Sequence, residues 1–121
     1  MSGGQNDYLS YMRLVLGLYI LKILEQGPAH GNKLTEEIKR RTQNAYSPNT
    51  NALYPLLRLI EEKGYIVGEW DSPVTRSKRV YTITEAGIAR IPALELMLAE
   101  RLKQLENKIT ILRSDLLMDN M

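Results

Sequence analysis

The last third of the chain constrains the fold most. Leu98, Leu102, Leu105, Ile109, Leu112 and Leu116 recur in alternating steps of four and three, the spacing of a coiled-coil seam. Thr84 can cap a helix running from Glu85 to Met118, with Pro92 predicting a kink or a restart. At ~1.5 Å per residue such a helix reaches about 50 Å, more than twice the radius of gyration of an ~80-residue domain. Much of it must project beyond its own core, where a second chain would bury the stripe; the alternative is a fold-back onto the first helix. In a parallel zipper Arg101 would face Glu106 favourably but Lys108 would face Arg113 unfavourably. The partner's first helix, with Leu9, Met12 and Leu16, is therefore expected to share the interface.

With 121 residues, the chain has room for one compact domain plus this appendage, set here at 7–87 and 88–121. Apolar residues make up 44% and charged residues 25%, values of a globular protein. A net charge of +2 means that any nucleic-acid contact must come from local clusters of Lys and Arg. The absence of Cys removes disulfides, thiolate metal sites and cysteine nucleophiles, and a single His leaves no material for a catalytic triad or a His-based metal cage. No enzymatic activity, cofactor or metal is expected. The polar start from Met1 to Asp7 lacks the features of a signal peptide, and the apolar stretch Leu14–Leu24 is too short to span a bilayer and is interrupted by Lys22, so a cytoplasmic protein without a membrane partner is expected.

Asp7 can cap a first helix through Gln26, with Leu9, Met12, Leu16, Tyr19, Ile20 and Ile23 at helical spacing. Val15, Leu18 and Leu24 widen its apolar face beyond what one small domain requires. Gly27-Pro28 stops it. A second helix, Gly31 to Thr42, turns Leu34 and Ile38 inward. A third runs from about Asn51 to Lys63, because Pro55 is harmless in a first turn and costs ~3 kcal/mol deeper in a helix. Its Leu53, Leu56, Leu57 and Ile60 form one inward stripe, leaving Asn51, Tyr54, Arg58 and Glu62 outside. Tyr65–Trp70 and Arg79–Ile83 then read as an antiparallel hairpin.

Three helices followed by a hairpin with a cationic tip is the order of a winged helix, a mainly α fold with a minor β component. In that arrangement the third helix enters the major groove of DNA and the wing touches backbone. Arg76, Lys78 and Arg79 at the tip can neutralise phosphates, although such clusters alone more often only keep a surface solvated. On the third helix Asn can pair with an adenine edge, Arg with guanine, and Thr or Tyr with phosphate. The candidates there are Asn49, Thr50, Asn51, Tyr54 and Arg58, helix capping being the competing role for Asn49 and Asn51. His30 is expected at a helix start, and Trp70 and Tyr65 in hairpin packing. Tyr8, Tyr11, Met12 and Tyr19 are expected in core or interface packing.

The chain resembles the PadR-like transcriptional regulators. The resemblance rests on Gly27-Pro28-Ala29-His30-Gly31, Ser47-Pro48 leading to Leu53-Tyr54-Pro55-Leu56-Leu57, Glu62-Lys63-Gly64-Tyr65-Ile66, and Arg79-Val80-Tyr81-Thr82-Ile83-Thr84-Glu85-Ala86-Gly87. This chain departs from the family pattern at Asn32, where many members carry an aromatic, and by a longer stretch between Pro48 and Leu53. The resemblance implies a homodimer that binds pseudo-palindromic double-stranded DNA, usually as a repressor, and is often released by a small-molecule effector, for which it makes Tyr8, Tyr11, Met12 and Tyr19 the alternative lining of a pocket at the dimer interface. The alternative is a winged-helix protein-interaction module without DNA affinity.

Overall fold

The computed structural model describes residues 4–117, with side chains from Ser10 onward. The elements follow in the order α1 (Gly4–Glu25), β1 (Ala29–His30), α2 (Gly31–Arg41), α3 (Thr50–Glu62), β2 (Ile66–Trp70), β3 (Arg79–Ile83) and α4 (Glu85–Leu112), which ends in a wider π-type turn, Arg113–Leu117. The three strands form one antiparallel sheet in the order β1-β3-β2.

Helix α1 is the central post. Leu14, Val15, Leu16, Leu18, Ile20, Leu21, Ile23 and Leu24 are all buried, because α2, α3, α4 and β3 pack around this one helix. Its wide apolar face is therefore consumed largely within the chain. Leu16, expected at a subunit interface, is only 5% exposed and sits in its own core. The helix begins at Gly4, so Asp7 lies inside it and is not its cap. The sides of Leu9 and Tyr8 fall outside the described side chains.

Leu34 and Ile38 of α2 meet Leu53, Leu56, Leu57 and Ile60 of α3 in the same core. His30 caps α2, its Nδ1 accepting from the Lys33 N–H at 3.3 Å. The turn after α2 places Gln43 and Asn44 at φ of 53° and 68°, a left-handed conformation that asparagine tolerates better than most residues. Thr42 secures it by donating its hydroxyl to the Ile38 carbonyl and accepting from the Tyr46 N–H. On the solvent side of α2, the Arg40 guanidinium, with Arg41, holds the Glu37 carboxyl down from the ordinary 4.5 to about 2.

Helix α3 starts at Thr50, one residue ahead of the expected Asn51, so Pro55 is its sixth residue and lies in the second turn rather than the first. The helix closes at Gly64, whose φ of 84° favours a residue without a Cβ. The Gly64 N–H bonds the Glu61 carbonyl and the Tyr65 N–H bonds the Ile60 carbonyl, the paired closure of a Schellman motif.

The two-residue strand β1 was not foreseen. Ala29 and His30 are too few to show a period of two, yet they pair with Tyr81 and Val80 and add a third strand to the hairpin. Pro92 does not restart α4, which runs unbroken through it from Glu85 to Leu112. The lost hydrogen bond at one exposed turn is offset by packing, with Ile91 buried and Leu94 and Leu98 against the core. Leu98, expected to face a partner, packs one side against the chain's own core and remains partly exposed. The expected boundary after residue 87 falls in the first turns of α4. Lys22 and Glu95 tie α1 to α4 at 2.7 Å, and Arg101 lies over the Tyr11 ring. From Leu102 to Leu117 every residue is exposed. The core therefore stops near Arg101, and the rest of the helix projects.

Candidate nucleic-acid interface

The outward face of α3 is built from its cap forward. The Asn49 side chain accepts the Ala52 N–H at 3.0 Å, so its carbonyl oxygen is occupied by capping. That geometry orients the first turn, where Thr50 and Asn51 are exposed, and two turns on Arg58 projects from the same side. Arg58 forms no ion pair among the described residues. Tyr54 is half-buried instead, its ring laid against Gly31 at the start of α2, where a Cβ would overlap the phenol. This contact fixes α3 relative to α2. Gly31→Ala should therefore cost about 1 kcal/mol net in thermal or urea unfolding, and adding Tyr54→Phe should return part of it by removing the overlapping hydroxyl.

The wing tip is held by Asp71. Its backbone N–H donates to the Lys78 carbonyl at 2.8 Å, while its carboxylate accepts from the Ser77 hydroxyl at 3.1 Å and the Lys78 N–H at 3.3 Å. Desolvation pushes the Asp71 carboxyl up, but the Lys78 and Ser72 amides, the Ser77 hydroxyl and the Lys78 charge outweigh it and hold it below the usual range. Ser72 accepts from the Val74 and Thr75 amides, and Arg76 closes the turn at φ 50° with its side chain exposed. Asp71 is thus the organiser of the tip.

Between α3 and the wing lies a cleft of about 550 Å³ lined by His30, Asn32, Tyr54, Arg58, Glu61, Trp70, Lys78 and Arg79. It brings Tyr54, Arg58, Lys78 and Arg79 together from among the expected residues; Asn49, Thr50 and Asn51 on the helix start and Arg76 on the tip lie outside its lining. Lys78 is exposed, whereas Arg79 is engaged, its Nη2 donating to Glu61 at 3.1 Å and its guanidinium lying 5.7 Å from the Trp70 ring centre. Glu61 and Gly68 were missed in the sequence. An isolated glycine within a strand, signalling a close approach, was the available clue.

A second, larger cavity of about 910 Å³ lies between α1, α3 and α4, with Leu14, Leu21, Leu56, Leu59, Ile60 and Leu94 among its lining. Tyr11 bonds Tyr46 at 3.1 Å outside that lining. No group of His, Cys, Asp or Glu among the described residues could hold a metal ion, and no described helix is long and apolar enough to cross a membrane.

A helical core carrying a three-stranded sheet, an exposed third helix and a cationic hairpin beside it define a winged helix-turn-helix protein with a long C-terminal helix. Residues 20–93 match the model of the transcriptional regulator PadR-like family. The chain is 33% identical over 81 residues to the transcriptional regulator Rv3488 of Mycobacterium tuberculosis, covering 67% of this chain and 73% of that one. A transcriptional regulator from Clostridium thermocellum, Cth-833, superposes with a TM-score of 0.69 at 26% identity, over 80% of this chain and 94% of that one. Bacillus subtilis PadR, solved in complex with operator DNA, superposes at 0.57 and 25% identity, over 65% of this chain and 44% of that one. The chain belongs to the PadR-like family, whose members are transcriptional regulators and not enzymes.

Proposed function

We propose that this chain is a cytoplasmic transcriptional repressor that binds a pseudo-palindromic operator as a homodimer. The observation that carries the reading is the cleft whose two walls are the exposed side of α3 and the base of the cationic wing. Thr50, Asn51 and Arg58 face base edges and nearby phosphates in the major groove, while Arg76 and Lys78 reach the flanking backbone. Asn49 caps the helix and Tyr54 sets its angle. That the similar Bacillus subtilis PadR was solved in complex with operator DNA supports binding to DNA.

The compact unit ends near Arg101, and the projecting helix joins two copies through Leu102, Leu105, Ile109, Leu112 and Leu116, with Met12 of α1, only partly buried in its own chain, as a further contact. The two third helices then fall into successive major grooves, about 34 Å apart. The apolar cavity between α1, α3 and α4 offers a site for a small-molecule effector that releases the DNA. Retention of the wing cations favours this reading over a protein-interaction module.

Gel-shift titration of the upstream DNA of its own gene tests it. If Arg58, Arg76 and Lys78 each neutralise one phosphate per subunit, log K against log salt should have a slope of about −5 for the dimer. Lys78→Ala should bring that slope toward zero by about 2, and Arg58→Ala should weaken binding by roughly 5- to 100-fold. A wild type that binds without salt dependence contradicts the proposal.

A further inference from the structure

Arg79 stands apart from the other wing cations. Gly68 and Trp70 pair with Tyr81 and Arg79 across the hairpin, so the alternation of the strands puts all four on one face. At Gly68 a Cβ would come within 2.7 Å of the Arg79 Nε and 2.8 Å of the Tyr81 ring. The missing side chain is what lets the Arg79 stem cross the hairpin to α3. There Glu61 Oε2 accepts twice, from the Arg79 Nη2 at 3.1 Å and from the Gly68 N–H at 3.0 Å. One carboxylate oxygen on α3 thereby holds both strands of the wing. The two side chains are 36% and 29% exposed, sheltered enough for the pair to matter more than an open surface bridge.

Resting on the DNA-binding reading above, we propose that Arg79 is a positioning residue and not a phosphate contact: with Glu61, and stacked on Trp70, it locks the wing at a fixed distance from α3. An arginine committed to a carboxylate and an aromatic face has its charge already neutralised, so it releases no counterion when DNA arrives. Its fork geometry is what the task needs, because a planar guanidinium can bond Glu61 edge-on while lying over Trp70, and an ammonium cannot do both. The lock sets the gap that Arg58 on one wall and Lys78 on the other must span to straddle one duplex backbone.

The test uses a duplex selected by the wild-type dimer from a random-sequence pool. Arg79→Met, Arg79→Lys and Glu61→Gln should each weaken binding roughly five- to tenfold, with the salt slope unchanged. The Glu61→Gln/Arg79→Met double variant should be no weaker than either single one, the mark of two groups acting as a unit. Trp70 is the only tryptophan, so its fluorescence reports the lock without DNA, and acrylamide quenching should rise in all three single variants while far-UV circular dichroism stays the same. The proposal is overturned if Arg79→Met shifts the slope by about 2 while Arg79→Lys does not, or if Glu61→Gln tightens binding by freeing a cation for phosphate. Unchanged Trp70 quenching would sink the lock itself. A wild type that selects no duplex would instead remove the DNA-binding reading on which the lock's purpose rests.

Discussion

Replacing Leu105 and Ile109 together by Glu should turn the protein into a monomer and weaken operator binding by at least 100-fold. The isolated chain leaves Leu102 and Leu105 39% exposed, Ile109 50%, Leu112 55% and Leu116 62%, all on one side of a helix that has already left its own core. An unsupported helical segment with this much apolar surface is not stable in water, since short helices owe their stability to packing an apolar face. A second copy supplies that packing. Two carboxylates in the middle of the seam would each have to be desolvated, at a cost of several kcal/mol per buried charge, and the dimer cannot absorb it. The loss in DNA binding follows from linkage. Once one subunit is seated, the other binds its half-site at millimolar effective concentration, an advantage of 10² to 10⁴ that vanishes in the monomer. The salt slope should also fall to about half, because one subunit neutralises half the phosphates. Light scattering gives the mass and gel shift the affinity. Lys103→Glu, which makes the same change in charge off the stripe, should leave the mass unchanged. Should the unaltered protein run as a monomer, the dimeric reading fails outright.

What the sequence disclosed and what it hid divide by the range of the interaction. The stripe Leu53, Leu56, Leu57, Ile60 identifies its own buried face, because helical period and burial are both local facts, and all four are buried. The caps at Thr84 and Asn49 were readable for the same reason, their partners lying three residues away. The winged-helix order and the PadR-like motifs placed the rest of the fold. The width of the α1 face was readable, but its partner was not. Apolar pattern says that a surface is covered and is silent on whether the cover comes from the same chain, so Leu16 reads as an interface residue and lies in the chain's own core, while Leu98 is partly covered by that core. The candidate site was legible in its charges and less so in their commitments. Arg79 reads as a free cation until the hairpin register brings Trp70 beside it, and Glu61, eighteen positions earlier, accepts its proton-bearing nitrogen. Strand β1 escaped because two residues carry no period, and Asp7 misled because a good capping residue can also sit within a helix.

Gly87→Ala should lower the melting temperature on the order of 10 °C, although alanine is the better helix former. Gly87 is buried in the first turn of α4, where its N–H bonds the Thr84 hydroxyl at 3.0 Å. The same hydroxyl donates to the Gly64 carbonyl at 2.7 Å, and the Thr84 N–H donates to the Tyr65 carbonyl at 3.1 Å. The exit of α3 and the entry of α4 are thus stitched together backbone to backbone, and a Cβ at Gly87 would strike the Tyr65 carbonyl and come within 2.8 Å of the Ile83 side chain. A side chain could rotate away. A carbonyl fixed in the Schellman turn and bonded to Thr84 cannot, so α4 must shift along its length. Helix propensity returns at most ~1 kcal/mol, against ~3 kcal/mol or more for overpacking against backbone, leaving a net loss of about 2 to 3 kcal/mol. Thr84→Ala removes the cap without the clash and should cost about 1 kcal/mol, while Ala86→Ser, one residue away on the exposed side, should change little. Calorimetry of the three variants ranks them. A melting point for Gly87→Ala equal to that of the parent chain would mean that the two helices are free to part at this junction, and the fixed direction of α4 relative to the end of α3 would go with it.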